Sequence, residues 1–116
     1  MKSVKLTRRQ AEPILRATFP GYRGRKISVV FTEKVRFSNL YWCGGSHADY
    51  MALRSDGSVR GLQTDDPWKD KREGSCVDLP DGVIVVKHEF FCGKDTGITI
   101  YAHPSLAPKW LETPGL

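Results

Sequence analysis

Cys43-x-x-x-His47 and His88-x-x-x-Cys92 are two mirrored Cys/His pairs, and thiolate with imidazole is a donor set that suits zinc. Strand geometry works against either pair as a half-site. His88 to Cys92 lies in the clearest strand pattern of the chain, where a rise of about 3.3 Å per residue sets the two side chains roughly 13 Å apart. Zinc bonds of about 2 Å cannot bridge that gap, which leaves only one ligand from each pair meeting across strands. Cys43 before Gly44-Gly45, with His47 and Asp49 nearby, supplies the residue types of a thiol hydrolase but no local signature. A Gly-Gly after a strand reads as a turn. His88 shares its alternating face with Ile84, Val86, Phe90 and Cys92, which predicts a hydrogen-bonded core histidine rather than a catalyst. In Gly93-Lys94-Asp95-Thr96-Gly97 the lysine lacks the longer glycine-spaced run and the following helix of a phosphate loop, so a hairpin connection is expected. No partner carboxylate can be placed for Asp95. No catalytic residue, metal ligand or cofactor is therefore assigned, and an enzyme using Cys43, His47 or His88 ranks third among the readings.

Basic side chains give a stronger pattern. Residues 1 to 36 hold ten of them (Lys2, Lys5, Arg8, Arg9, Arg16, Arg23, Arg25, Lys26, Lys34 and Arg36) against two acids, Glu12 and Glu33. The rest of the chain is slightly acidic, and the whole carries +5. Such a division marks a surface that meets a polyanion and disfavours an acidic nucleic-acid mimic. Tyr22-Arg23-Gly24-Arg25-Lys26 concentrates three cations and an aromatic between a helix and a strand. Arginine binds phosphate oxygens bidentately, an aromatic can stack on a base, and Gly21 and Gly24 let the backbone approach a ligand. Arg8, Arg9, Arg23, Arg25 and Lys26 are the expected phosphate contacts, with Tyr22 as the stacking group. The competing interpretation is a solvated face balanced by the acids at 65 to 73.

A second candidate surface is the stretch 63 to 76, dense in charge and long for a loop in a compact domain. Trp68, with Lys69, Lys71 and Arg72, would serve a protein partner there. Trp42 and Trp110 are expected in the core. An interaction or inhibitor module acting through this loop is the second reading.

The elements that must position these groups follow from pattern. Thr7-Arg8-Arg9-Gln10 is a capping box, Leu6 and Ala11 could staple it, and Ala11, Ile14, Leu15 and Thr18 follow helical spacing. Pro13 predicts either a bend or a short helix starting there, and Pro20-Gly21 ends it. Ile27, Val29 and Phe31 alternate as a strand, and Val35, Phe37 and Tyr41 share a face. Tyr50 to Leu53 makes a further strand, and Asp56-Gly57 turns it toward Val59 and Leu62. Pro80-Asp81-Gly82 turns into Val83–Cys92, and Ile98–His103 pairs back. Pro104 to Glu112 predicts a short terminal helix anchored by Leu106, Trp110 and Leu111.

The 116 residues fit a single domain of α+β class: an N-terminal helix packed on a curved antiparallel sheet of five to seven strands, a meander or half-barrel. The longest apolar run, Val83 to Val86, falls far short of a membrane span, and the polar turn at Thr7 lacks the apolar core of a signal peptide. A cytoplasmic protein is expected. Three cysteines, Cys43, Cys76 and Cys92, argue for free thiols buried as small apolar groups rather than disulfides.

At Phe19-Pro20-Gly21-Tyr22-Arg23-Gly24-Arg25-Lys26, Tyr41-Trp42-Cys43-Gly44-Gly45-Ser46 and Phe91-Cys92-Gly93-Lys94-Asp95 the chain resembles short uncharacterised proteins carried by phages and other mobile elements. The resemblance implies a bacterial or phage setting and brings no activity with it. The leading expectation is a small non-enzymatic protein that contacts DNA, RNA or a nucleoprotein complex with weak sequence preference, since phosphate contacts position without specifying.

Overall fold

The computed structural model describes residues 3–38, 46–61, 76–79 and 82–107. Expectations for Tyr41, Trp42, Cys43, Trp68, Lys69, Lys71, Arg72, Trp110 and Leu111 lie outside these residues. The described elements are strand β1 (Ser3–Lys5), helix α1 (Arg8–Thr18), and strands β2 (Ile27–Phe31), β3 (Lys34–Arg36), β4 (Ser46–Leu53), β5 (Val59–Gly61), β6 (Cys76–Asp78), β7 (Ile84–Phe91) and β8 (Lys94–Ala102). The protein is mixed α and β, mostly strand, with one α-helix among the described residues. Pro104–Leu106 forms a single 3-10 turn capped by His103; the remainder of the expected terminal helix lies outside the described residues.

The capping box forms as the sequence predicts: the Gln10 N–H donates to the Thr7 hydroxyl and the Thr7 N–H to the Gln10 side chain. Leu6 and Ala11 are both buried in one cluster, where a hydrophobic staple places them. The helix neither starts late nor stops at Pro13; it runs through it. Pro13 and Arg9 are both exposed, so water can satisfy the Arg9 carbonyl that loses its usual donor. Ala11, Ile14, Leu15 and Thr18 face inward, and the Thr18 hydroxyl donates back to the Ile14 carbonyl at 2.7 Å.

β1, β2, β8, β7, β4 and β5 form one open sheet in that order, and β3 pairs with β6 as a separate ribbon. Both sheet faces are covered. Ile27, Val29, Val86, Ile98, Ile100 and Ala102 pack under the helix. On the opposite face Ala48, Tyr50, Ala52 and Val85 pack against Val35, Phe37 and Leu79 of the ribbon region. Period-two alternation explains the division, since Val85 and Val86 are both fully buried but in different clusters.

Several expectations need correction. The sheet is not purely antiparallel: β2 and β8 run parallel, with Ile27 opposite Ile98 and Val29 opposite Ile100. Tight turns dictate antiparallel pairing only between strands adjacent in sequence, and most of the chain separates these two. β1 was not expected. It pairs antiparallel with β2 and makes the edge. β4 begins at Ser46 rather than Tyr50, and Cys76 opens β6 instead of closing a loop. The turn after β7 is Cys92-Gly93 alone, both at positive φ, so Lys94 and Asp95 belong to β8. Cys76 and Cys92 are free but exposed, not buried.

Candidate nucleic-acid interface

α1 ends at Thr18 with Phe19 as its C-cap, Pro20 follows, and the chain must cross from the helix to the start of β2. Residues 22 to 26 make that crossing, and the charges of Arg23, Arg25 and Lys26 ride on it. Their backbone is held at several points. Tyr22 is buried, and its hydroxyl donates to the Lys26 carbonyl at 2.8 Å, closing the loop on itself. The same carbonyl accepts the Ile98 N–H, which ties the loop's end to β8. Arg8, on the first helical turn, donates to the Tyr22 carbonyl at 2.6 Å and the Gly24 carbonyl at 3.3 Å. Its guanidinium also lies over the Tyr22 ring, 5.7 Å from the centroid, and faces Glu12 at 3.6 Å.

Asp95 supplies the remaining anchor from β8. One carboxylate oxygen accepts the Arg23 N–H at 2.9 Å, and the other meets His88 Nε2 at 2.8 Å. The Arg23 N–H, helped by His88, holds the Asp95 carboxyl below its ordinary range. His88 is itself fixed among rings: Phe19 at 5.0 Å, Tyr22 at 5.6 Å and Phe90 at 5.4 Å. Its cross-strand neighbour on β4 is Asp49, which pairs with His47 at 3.1 Å. Among the described residues no hydroxyl or thiol hydrogen-bonds to His88, so the His88–Asp95 pair acts here on the loop. Burial pushes the Tyr22 phenol up, reinforced by the Asp95 charge, so it stays protonated and keeps donating.

The clamped loop, the helix cap and the start of β2 line an open hollow of about 450 Å³ bordered by Arg8, Arg23 and Arg25, with Leu6 and Ile27 at its base. The side chains of Arg9, Arg23, Arg25 and Lys26 make no ion pair or hydrogen bond among the described residues, and all four are exposed. The first turn of α1 carries no acid, although the helix dipole favours negative charge there.

The structure thus brings Arg8, Arg23 and Arg25 together at one cavity and leaves Arg9 and Lys26 outside its lining. It corrects the role of Tyr22: only 2% of it is exposed, with His88 against its ring and Arg8 above it, so it organises the loop instead of offering a stacking face. Sequence reasoning missed Asp95 and His88 as anchors, and Leu6 and Ile27 as the cavity's apolar wall. The pairing of β2 with β8 brings Asp95 to Arg23, and no local pattern announces it.

On the far face Lys87 is nearly buried. It donates to the Ser38 hydroxyl at 2.8 Å, approaches Glu89 at 3.7 Å and lies over the Tyr50 ring at 5.8 Å. This places Lys87 in a hydrogen-bonded network. Burial pushes the neighbouring Tyr101 phenol up to about 12.

No protein-family model matches the chain, and no curated protein or solved structure matches it. No described helix is long and apolar enough to cross a membrane.

Proposed function

We propose that this protein is a small non-enzymatic binding protein that contacts nucleic acid, or a nucleoprotein complex, through the basic surface built on residues 8 to 26. The supporting observation is the cavity at Arg8, Arg23 and Arg25, whose loop is held rigid by buried Tyr22 and by Asp95. Rigid donors bind at lower entropic cost than mobile ones, and guanidinium groups match phosphate oxygens in pairs. Arg9 and Lys26 extend the charge to either side. Three of the proposed contact residues, Arg23, Arg25 and Lys26, are exposed. Replacing all three by alanine should therefore leave the fold intact, weaken binding, and reduce the slope of log affinity against log salt by about 2–3. Unchanged binding and slope would remove this surface from the interface. A cytoplasmic setting and a phage-borne origin belong to the same proposal.

A second reading, an interaction or inhibitor module acting on a protein partner, is favoured by Phe91, a large apolar side chain 50% exposed at the tip of the β7–β8 hairpin. With Trp68 it would give a protein partner an aromatic anchor. Phe91→Ser and Trp68→Ala would weaken a protein complex and leave nucleic-acid affinity unchanged.

A further inference from the structure

We propose that the cavity receives a phosphate monoester at the end of a nucleic-acid strand, so that the protein prefers phosphorylated ends to internal backbone. This rests on the nucleic-acid reading above and specifies its ligand. The cavity is local: its wall comes from the helix cap, the 22–26 loop and the first residue of β2. At about 450 Å³ the hollow has room for a phosphate and its sugar.

Charge points the same way. An internal phosphodiester carries one negative charge, whereas a terminal monoester carries about 1.5 to 2 near pH 7 and three acceptor oxygens. Three arginines line this one hollow, and Glu12 pairs with Arg8 from outside its lining. Arg8 uses two donors on the Tyr22 and Gly24 carbonyls and turns Nε toward Glu12, which leaves two of its five N–H donors for a ligand. Arg23 and Arg25 have all of theirs. The bonds at Tyr22, Arg23 and Lys26 hold the backbone that carries these side chains.

The test uses the full chain and three labelled single-stranded oligonucleotides of one sequence, bearing a 5′-phosphate, a 3′-phosphate or hydroxyls at both ends. Anisotropy titrations at near-physiological salt are expected to give at least about tenfold tighter binding to one phosphorylated end. Arg23→Ala/Arg25→Ala should abolish that preference. Equal affinity for all three oligonucleotides would overturn this proposal while leaving the broader reading in place. Binding to none of them, even at low salt, would overturn both.

Discussion

Among the described glycines, Gly24 is the one least able to accept a side chain. A Cβ there would fall on the Tyr22 hydroxyl and within 2.6 Å of its ring carbon. Tyr22 is buried, so it cannot swing aside. Gly24→Ala should cost roughly 1–3 kcal/mol, typical of overpacking, and should lower nucleic-acid affinity with it. A urea midpoint unchanged from the parent would refute that steric picture. Asp95 belongs to the same scale. Its folded-state pKa is depressed, so its stabilisation is present above the unfolded value of about 3.9 and is lost as pH falls through the folded one. Asp95→Asn should cost about 1–3 kcal/mol near neutral pH, as for a charge-assisted hydrogen bond. It should also lessen the loss of stability on acidification, so that the two proteins converge as pH falls through the folded-state value. A pH-independent difference in unfolding free energy would show that the carboxylate charge does not matter. At the hairpin tip Cys92 sits at φ +50° ahead of Gly93 at +80°, a pair of left-handed positions that favours Asn-Gly. Cys92→Asn should raise stability by about 0.5–1 kcal/mol, read from the thermal midpoint.

At the scale of elements, α1 shows what a sequence can and cannot announce. Its cap, staple and buried stripe are all local and all legible. Pro13 signals a break, yet the helix continues because the carbonyl it strands is on the wet side. Pro13→Ala restores that hydrogen bond and should stabilise the protein by about 1–2 kcal/mol, less than the full proline penalty because alanine also loosens the unfolded chain. A destabilised Pro13→Ala variant would mean that the proline is needed for the helix's fit to the sheet. The strands with clean alternation, β2 and β7, were equally legible, as was the Asp56-Gly57 turn. β1 and β6 were not, because three-residue strands carry too little pattern to register. The parallel pairing of β2 with β8 was hidden for a different reason: it joins segments from opposite ends of the described chain, and no turn chemistry reports on it.

Across the whole molecule, the charge division already present in the sequence acquires a shape. The helix and the 22–26 loop come from the basic third of the chain, and β7 and β8 from the remainder supply Asp95 and His88 that hold the loop in place. The arginines of the candidate site were therefore legible from composition, whereas their scaffold was not. Tyr22 was assigned the wrong part because burial cannot be read from a residue's neighbours in sequence. An interface made of phosphate contacts binds through counterion release, so its affinity must fall steeply with salt. The most direct measurement is fluorescence anisotropy of labelled single-stranded DNA, duplex DNA and RNA with the intact protein, at low and near-physiological salt. Binding that weakens by an order of magnitude or more between the two is the predicted result, and the preferred strand type identifies the ligand. No binding to any of the three at low salt would contradict it, reduce the arginine cavity to a solvated surface, and make a protein partner the leading reading.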